Sequence, residues 1–151
     1  MNHNSALSGF KDALQGSGLN AGLILLNKRV AHRFTAVYRL DNGIMRNVAV
    51  VDKQGEVVPQ NLLEVPLEHS FCQFVLKDGS FRTQNSAADG RLQGHIYKGV
   101  LNSYVGLPLT TNNGGLFGTF CHFDFPPQEI IDEEFQFLQT AVRLLPAYVI
   151  S

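Results

Sequence analysis

Residues 103–124, SYVGLPLTTNNGGLFGTFCHFD, decide the fold of this chain. Two runs with the composition of strands, Ser103–Thr110 and 116–125, flank the turn-forming sequence Asn-Asn-Gly-Gly, and this pattern predicts an antiparallel hairpin. Gly106 and Gly118 lie inside the two strands, where glycine usually marks a bulge or a close approach of backbone or ligand. We therefore expect a bent sheet with a concave surface.

A second hairpin is predicted upstream of the first. Residues 34–38 are β-branched and aromatic, and Asp-Asn-Gly at 41–43 separates them from a partner strand over 44–51. Asn-Gly between two such runs is the strongest short-range hairpin signal. One further short strand stands out at Phe81–Thr83. Five strands with flanking helices indicate an α+β layered domain.

Apolar residues recur at helical spacing near both ends of the chain. The N-terminal pattern is interrupted by Gly-Ser-Gly at residues 16–18, which predicts a break in the helix. The C-terminal pattern extends over residues 129–145 and predicts one amphipathic helix. We therefore expect a single domain, residues 1–151, made of a helical arm over residues 5–32 and a core over residues 33–145.

The composition favours a soluble folded domain and excludes several partner classes. Hydrophobic residues make up 44% of the 151 residues, which is enough to form one core. The 12 Lys and Arg against 13 Asp and Glu give a net charge of −1, so we do not expect nucleic acid as a partner. The longest apolar run, residues 23–26, is too short to span a membrane, and the N-terminus lacks a signal-peptide pattern. We therefore expect a cytoplasmic location and no membrane partner.

The stretch over residues 59–101, which we call the cover segment, has weak periodicity. Its apolar residues predict a short helix over 67–76, and Asp89 is placed to cap a second helix that runs through Val100. A long irregular segment inside a compact domain usually carries function. The cover segment is therefore where we expect a binding site.

Several parts of the chain resemble the GAF family of sensory domains. Residues 103–109 and 115–124 are similar to the last two strands of that family, which carry aromatic-x-Gly-x-Pro-Leu, a turn and Gly-x-x-Gly-Thr-x-Cys. Upstream, residues 33–41 resemble the family's first strand. Ser-Phe-Cys at 70–72 and Asp-Gly-Arg at 89–91 resemble the middle of its bacterial sensor subgroup. The resemblance covers nearly the whole chain, and the final hairpin is its most specific part.

The resemblance implies a stand-alone bacterial GAF-domain protein. Its sheet would have five antiparallel strands in the order 2-1-5-4-3, with the N- and C-terminal helices on one face and the cover segment on the other. The family's role implies a sensory module for signal transduction that binds an unidentified small molecule or a protein partner, and its cofactor is unknown. We expect ligand binding to order the cover segment and so to change what a separate output protein contacts. Because terminal helices often leave an apolar stripe, we also expect a homodimer.

Cys72 and Cys121 allow three interpretations. Free cysteines are commonly small buried hydrophobic residues, and a reducing compartment favours this state over a disulfide. A redox sensor is the second interpretation. A thiol-dependent redox enzyme is the third, because free-methionine-(R)-sulfoxide reductases share the GAF fold. However, residues 89–93 lack a cysteine where those enzymes carry the attacking thiol, so we expect a non-catalytic module.

Nine residues are candidates for ligand binding, and we assign no catalytic or metal-binding residue. They lie on the short helix, on the second half of the cover segment and on the final hairpin: Ser70, Phe71, Cys72, Asp89, Arg91, His95, Tyr104, His122 and Asp124. Alternation along the last strand places residues 120, 122 and 124 on one face and residues 119, 121 and 123 on the other, so both sets cannot line one pocket. His122 is either a ligand contact or a core histidine, and Asp89 and Arg91 either brace the cover or bind a ligand.

Overall fold

The computed structural model describes residues 3–56, 60–111 and 113–149. Pro59, the first residue of the predicted cover segment, and Asn112, in the predicted hairpin turn, lie outside the described residues. The helices are α1 (His3–Ser17), α2 (Leu19–Lys28), α3 (Gln60–Leu63), α4 (Cys72–Asp78), α5 (Asp132–Ala141) and α6 (Pro146–Val149). The strands are β1 (Phe34–Asp41), β2 (Ile44–Asp52), β3 (Glu64–Pro66), β4 (Phe81–Thr83), β5 (Ser103–Thr110) and β6 (Leu116–Asp124).

In the described part of the chain, the strands form one antiparallel sheet of six strands in the order β3-β2-β1-β6-β5-β4. This arrangement corrects the predicted five strands and their order 2-1-5-4-3. The additional strand, β3, has three residues and pairs with the start of β2 at the edge of the sheet. The sequence of β3 is Glu-Val-Pro, and both glutamate and proline are depleted in strands, so the composition does not reveal this strand. Its position in the chain also changes the numbers of all later strands.

The two hairpins meet in the middle of the sheet, where β1 pairs with β6. Asn42 and Gly43, in the first hairpin turn, have φ values of 51° and 77°, as the sequence Asn-Gly predicts. The close approach expected at Gly118 is also present, because a Cβ built there would lie 1.9 Å from the carbonyl oxygen of Tyr38. The backbones of β1 and β6 can therefore pair at this point only if residue 118 has no side chain.

Helices α1, α2 and α5 cover one face of the sheet. The predicted break in the N-terminal helical arm falls at Gly18, whose φ of 88° favours glycine. The helices bury their apolar stripes against alternate strand residues, which include Val37 of β1 and Phe120 of β6. The resulting cluster contains fully buried phenylalanine and leucine side chains, among them Phe10 and Leu138. We call this cluster the helix-face core.

The C-terminal region is not the single helix predicted over residues 129–145. Helix α5 is shorter, and a 3-10 turn at Val142–Leu144 follows it. Helix α6 then begins at Pro146, a residue that is tolerated in the first helical turn. The packed chain therefore continues past residue 145. In the ranges that the structure describes, no helix is long and apolar enough to cross a membrane.

Apart from β3 and β4, which form the two edges of the sheet, the described part of the cover segment, residues 60–101, lies on the other face. It is built from short elements, and the helix predicted to follow Asp89 is a single 3-10 turn, Gly90–Leu92. Leu92 nevertheless packs into a second buried cluster, the cover-face core, with Phe34 of β1 and Phe123 of β6. The predicted helix over 67–76 is also divided, because α4 starts only at Cys72 after a 3-10 turn.

Candidate functional site

A small cavity lies between the sheet and the cover segment. Both layers contribute to its walls, which comprise Tyr38, Leu62, Val65, Ser70, Phe71, Cys72, Tyr97, Leu101, Tyr104, Cys121 and Phe123. The volume is about 30 Å³, and one water molecule needs about 10–15 Å³. The cavity therefore has room for about two waters. None of these described lining residues is Asp, Glu, Lys, Arg or His.

Because residue 106 on β5 is glycine, the side chain of Tyr104 can lie over this position, where it lines the cavity. A Cβ built at Gly106 would lie 2.7 Å from the hydroxyl oxygen of Tyr104 and 2.5 Å from Cγ2 of Val75 on α4. Residues 104 and 106 lie on the same face of the strand because side chains alternate. The missing side chain at residue 106 thus lets the tyrosine hydroxyl lie close to the sheet, beneath α4.

Hydroxyl and thiol groups connect the cover segment to the sheet. Tyr38 of β1 donates its hydroxyl hydrogen to the carbonyl oxygen of Leu62, at 2.5 Å. The Sγ atom of Cys72 lies 3.3 Å from the hydroxyl oxygen of Tyr104 and 3.3 Å from Oγ1 of Thr119. Each contact joins one residue of the cover segment to one strand, so together they hold the cavity closed.

Burial keeps the hydroxyls of Tyr38 and Tyr104 and the thiol of Cys121 protonated at neutral pH. It raises the pKa values of the Tyr38 and Tyr104 hydroxyls well above the ordinary tyrosine value. Burial, with a smaller contribution from nearby Cys72, also raises the pKa of the Cys121 thiol well above its ordinary value. The cavity therefore presents neutral groups that can donate hydrogen bonds, and Cys121 has little of the thiolate form that acts as a nucleophile.

Both cysteines are buried and free, as the sequence predicts. They line the same cavity, Cys72 from α4 and Cys121 from β6. Within residues 3–56, 60–111 and 113–149, no group of three or more His, Cys, Asp or Glu side chains could hold a metal ion. The described part of the site is thus composed of thiols, hydroxyls and apolar side chains.

Four of the nine predicted site residues line the cavity: Ser70, Phe71, Cys72 and Tyr104. Oγ of Ser70 accepts a hydrogen bond from the backbone N–H of Cys72 at 2.9 Å, at the start of α4. Phe71 packs edge-on against Tyr104, with ring centroids 5.4 Å apart. His95 lies outside the lining, next to Phe71 at a centroid distance of 4.6 Å, and burial lowers its pKa. His95 therefore supports a wall of the cavity.

Asp89 and Arg91 lie elsewhere, in an open cleft of about 490 Å³ beside the edge strand β4. The carboxylate of Asp89 accepts hydrogen bonds from the backbone N–H of Arg91 at 3.0 Å and from its Nε at 2.9 Å. Arg91 also donates to the carbonyl oxygen of Arg82 in β4, at 2.7 Å. These contacts cap the 3-10 turn and cover the outer edge of the sheet, as expected if the two residues brace the cover.

His122 and Asp124 do not lie in the cavity, which corrects the expectation that they share a pocket with Cys72. Phe120 packs in the helix-face core and Cys121 in the cover-face core. Since strand residues alternate, His122 and Asp124 face the helices. There, Nδ1 of His122 lies 2.6 Å from Oγ1 of Thr35, and both residues are buried.

Two lining residues of the cavity, Tyr38 and Cys121, are missing from the predicted set, and so is Thr119, whose Oγ1 contacts Sγ of Cys72. Alternation along β6 could have identified Thr119 and Cys121, because it places them on the face opposite His122. Which of the two faces carries the cavity depends on how the cover segment packs, and the sequence pattern does not show that. Tyr38 offers no signal beyond an aromatic residue in a predicted strand.

No protein-family model and no curated protein matches the sequence. Solved structures do match over almost the whole chain. The GAF domain of an Acinetobacter phosphoenolpyruvate-protein phosphotransferase has a TM-score of 0.77 at 16% identity, over 99% of this chain and 94% of that chain. Free methionine-R-sulfoxide reductase from Neisseria meningitidis, in complex with its substrate, has a TM-score of 0.74 at 13% identity, over 97% and 87%. The phycoerythrobilin-bound GAF domain of a cyanobacterial phytochrome has a TM-score of 0.73 at 14% identity, over 99% and 95%.

At these identities the likeness establishes the fold. The chain has the fold of a GAF domain, in agreement with the resemblance of its sequence. The same fold occurs in sensor domains and in methionine sulfoxide reductases. A choice between these functions has to come from the residues of the site.

Proposed function

We propose that this protein is a sensory module in which a small uncharged molecule binds in the cavity between the sheet and the cover segment. The proposal rests on the residues that line the cavity. The described ones have apolar, hydroxyl or thiol side chains, and none is acidic or basic. Such walls would remove water from a charged ligand and offer no side chain of opposite charge in return. The protonated hydroxyls of Tyr38 and Tyr104 can instead donate hydrogen bonds to an oxygen or nitrogen atom of a neutral ligand.

The small volume of the cavity couples binding to movement of the cover segment. A ligand larger than about two water molecules enters only if the cover moves away from the sheet. The contact between Tyr38 and Leu62, and those of Cys72 with Tyr104 and Thr119, must then break. A ligand shifts this equilibrium only by its greater affinity for the open form, so in this proposal binding loosens the packed cover segment, whereas the family resemblance led us to expect that binding orders it. In this proposal, a separate output protein detects the changed surface of the cover segment.

A second candidate function is a thiol-dependent reductase, which the presence of both cysteines in one cavity favours. A structural neighbour with this fold is a free methionine-R-sulfoxide reductase. A free amino acid carries an ammonium and a carboxylate group, however, and the described lining has no charged side chain for either. The raised pKa of Cys121 also keeps its thiol protonated. The geometry therefore supports the non-catalytic function better.

The donor role of the two tyrosines gives a direct test. Small neutral alcohols, amides, ketones and nitrogen heterocycles would be screened for binding by ligand-observed NMR. The double variant Tyr38→Phe/Tyr104→Phe keeps both rings and loses both hydroxyl donors, so we expect it to bind any hit about tenfold more weakly or worse. Tyr148→Phe is the matched control, because that side chain is exposed on α6. Equal affinity of both variants would contradict the proposed site.

Hydrogen exchange tests whether binding moves the cover segment. With a saturating hit we expect exchange to change across residues 60–101 and to stay constant in α1 and α5. Binding without any change in residues 60–101 would contradict the sensory mechanism. A separate assay with methionine sulfoxide and a dithiol reductant addresses the second candidate. If the wild type reduces the sulfoxide and Cys72→Ser does not, the protein is an enzyme.

We also propose that the chain forms a homodimer through the outer surface of its helices. Ile24 of α2 and Tyr148 of α6 are large side chains that remain exposed on this layer. Light scattering over a range of concentrations, on the wild type and on Ile24→Lys, measures the association. A wild-type protein that stays monomeric at high concentration would contradict this part of the proposal.

A further inference from the structure

Two histidines are buried together on the helix side of the sheet. His32, between α2 and β1, and His122, on β6, both have 0% exposure. Their rings are nearly parallel, with an interplanar angle of 26° and centroids 5.9 Å apart. Among the described residues, both ring nitrogens of His32 and Nε2 of His122 have no hydrogen-bond partner. Buried polar atoms are nearly always paired, so a pair with three unsatisfied nitrogens is unusual.

A chain of hydrogen bonds connects this pair to the end of α2. Nδ2 of Asn27 donates to Oγ1 of Thr35 at 2.8 Å and to the carbonyl oxygen of His32 at 3.2 Å. Thr35 in turn contacts Nδ1 of His122. Nζ of Lys53 donates to Oδ1 of Asn27 at 2.9 Å and to its carbonyl oxygen at 2.5 Å. The C-terminal end of α2 is thus held to the sheet by polar contacts around the two imidazoles.

The charged groups that face the pair are Lys53, beyond β2, and Asp124, on β6. Oδ2 of Asp124 already accepts hydrogen bonds from the backbone N–H of Arg33 at 3.0 Å and from Nε2 of Gln128 at 3.1 Å, and Oδ1 accepts one from the backbone N–H of Phe125 at 2.8 Å. Among the described residues, two arginines beside His32 in the sequence are held in ion pairs. Arg29 of α2 pairs with Glu134 of α5, and the guanidinium of Arg33 pairs with Asp52 of β2 and with Glu56. The partner of His122 on β5 is apolar Val105.

We propose that the His32–His122 pair is a pH-sensitive switch: when either ring takes up a proton, the C-terminal end of α2 and residues 29–33 detach from β1 and β6. A second positive charge beside Lys53, in a site closed to water, would be offset only by a carboxylate whose oxygens are already engaged. Detachment exposes the charged ring to water. This inference concerns the helix face, so it holds or fails independently of ligand binding in the cavity.

The direction of the pH dependence follows from the lowered pKa values of the two imidazole rings. Burial is the main cause that lowers the pKa of His32 from 6.5 to about 4, and Lys53 lowers it further while Asp124 raises it. Burial also lowers the pKa of His122, with His32 and Lys53 adding to the effect. Attachment of α2 is therefore complete above pH 6.5 and weakens as the pH falls towards 4. For His32 alone, the equilibrium constant for detachment rises about 20-fold from pH 7 to pH 5.

Hydrogen exchange followed by mass spectrometry tests the switch on the full chain. After correction for intrinsic rates, we expect peptides over residues 23–35 to lose protection by about tenfold or more between pH 7 and pH 5. His32→Gln and His122→Gln should each reduce this loss, since a glutamine cannot be protonated. His69→Gln, which removes an exposed histidine, should leave it unchanged. A wild type that keeps its protection at pH 5, or glutamine variants that lose it as the wild type does, would overturn the proposal.

A second measurement keeps the proposal testable if a glutamine variant fails to fold. NMR of isotopically labelled imidazole rings in the wild type reports the pH at which each histidine gains a proton. We expect His32 and His122 to become protonated over the same pH range in which the amides of residues 23–35 lose protection. Protonation of either ring without loss of protection would overturn the switch.

Discussion

The two faces of the sheet are covered in different ways. On the helix face, α1, α2 and α5 have ten to fifteen residues each, and their apolar stripes fill the core. On the cover face, the elements have three to seven residues, turns connect them, and a cavity remains. β6 contributes alternate residues to both faces. The difference implies that the helix face provides most of the stability, whereas the cover face can open locally without global unfolding.

The largest effect should come from Gly118→Ala, which affects the strand pairing that both faces share. The new Cβ would lie 1.9 Å from the carbonyl oxygen of Tyr38, and backbone atoms cannot move away as a flexible side chain could. We expect a loss of at least about 3 kcal/mol in the free energy of unfolding, measured by urea denaturation. The control is Gly9→Ala in α1, where nothing lies within 4 Å of the new Cβ. Alanine should stabilise that helix by about 0.5–1 kcal/mol.

A matched pair of leucine truncations compares the two faces directly. Leu138 in the helix-face core and Leu92 in the cover-face core have exposures of 0% and 1%. We expect Leu138→Ala to lower global stability by about 2–5 kcal/mol. Leu92→Ala should cost less, because the cover segment can relax around the space, and hydrogen exchange should rise mainly across residues 60–101. Equal losses of stability, with uniform changes in exchange, would show that the two faces unfold as one unit.

The contrast between the helix face and the cover face also explains which parts of the fold can be predicted from the sequence. The hairpins are predicted because local features determine them, namely Asn-Gly at 42–43 and glycines where backbones approach closely. The N-terminal helices follow from periodicity over several turns. The edge strand β3 is not predicted, because glutamate and proline are depleted in strands. The short turns around Asp89 are not predicted either, because a single turn carries no period.

The candidate site is predictable to a similar extent. Ser70 to Cys72 and Tyr104 are found because they belong to stretches that resemble a known family. Tyr38 contacts Leu62 across 24 residues, and Cys72 contacts Thr119 across 47 residues. Pairings over such distances depend on how the cover segment packs on the curved sheet. The pairing of His32 with His122 likewise depends on the position of the connector after α2, so neither set follows from a local pattern.

A smaller effect is expected for Thr35→Val, which tests the polar part of the helix face. The substitution keeps the shape of the side chain and removes the hydroxyl that contacts Asn27 and His122. Because Thr35 is fully buried, two partners would lose a hydrogen bond without access to water. We expect a loss of about 1–3 kcal/mol in the free energy of unfolding. Thr110→Val, at an exposed position of β5, is the control and should change stability by less than about 0.5 kcal/mol.

The smallest effect concerns the ion pair between Asp89 and Arg91 at the edge of the cover segment, and this effect depends on pH. Hydrogen bonds from Arg91 are the main cause that lowers the pKa of Asp89 to about 2. A lowered folded-state pKa contributes stability that is present above the ordinary aspartate value and is lost as the pH falls towards 2. Because the side chain of Arg91 is 58% exposed, we expect Arg91→Gln to cost less than about 1 kcal/mol at pH 6. The difference from the wild type should shrink between pH 4 and pH 2 in urea denaturation. Arg39→Gln is the control, because the carboxylate oxygen that pairs with Arg39 is 3.9 Å away. If the effect of Arg91→Gln stays constant with pH, the pKa of Asp89 does not depend on this arginine.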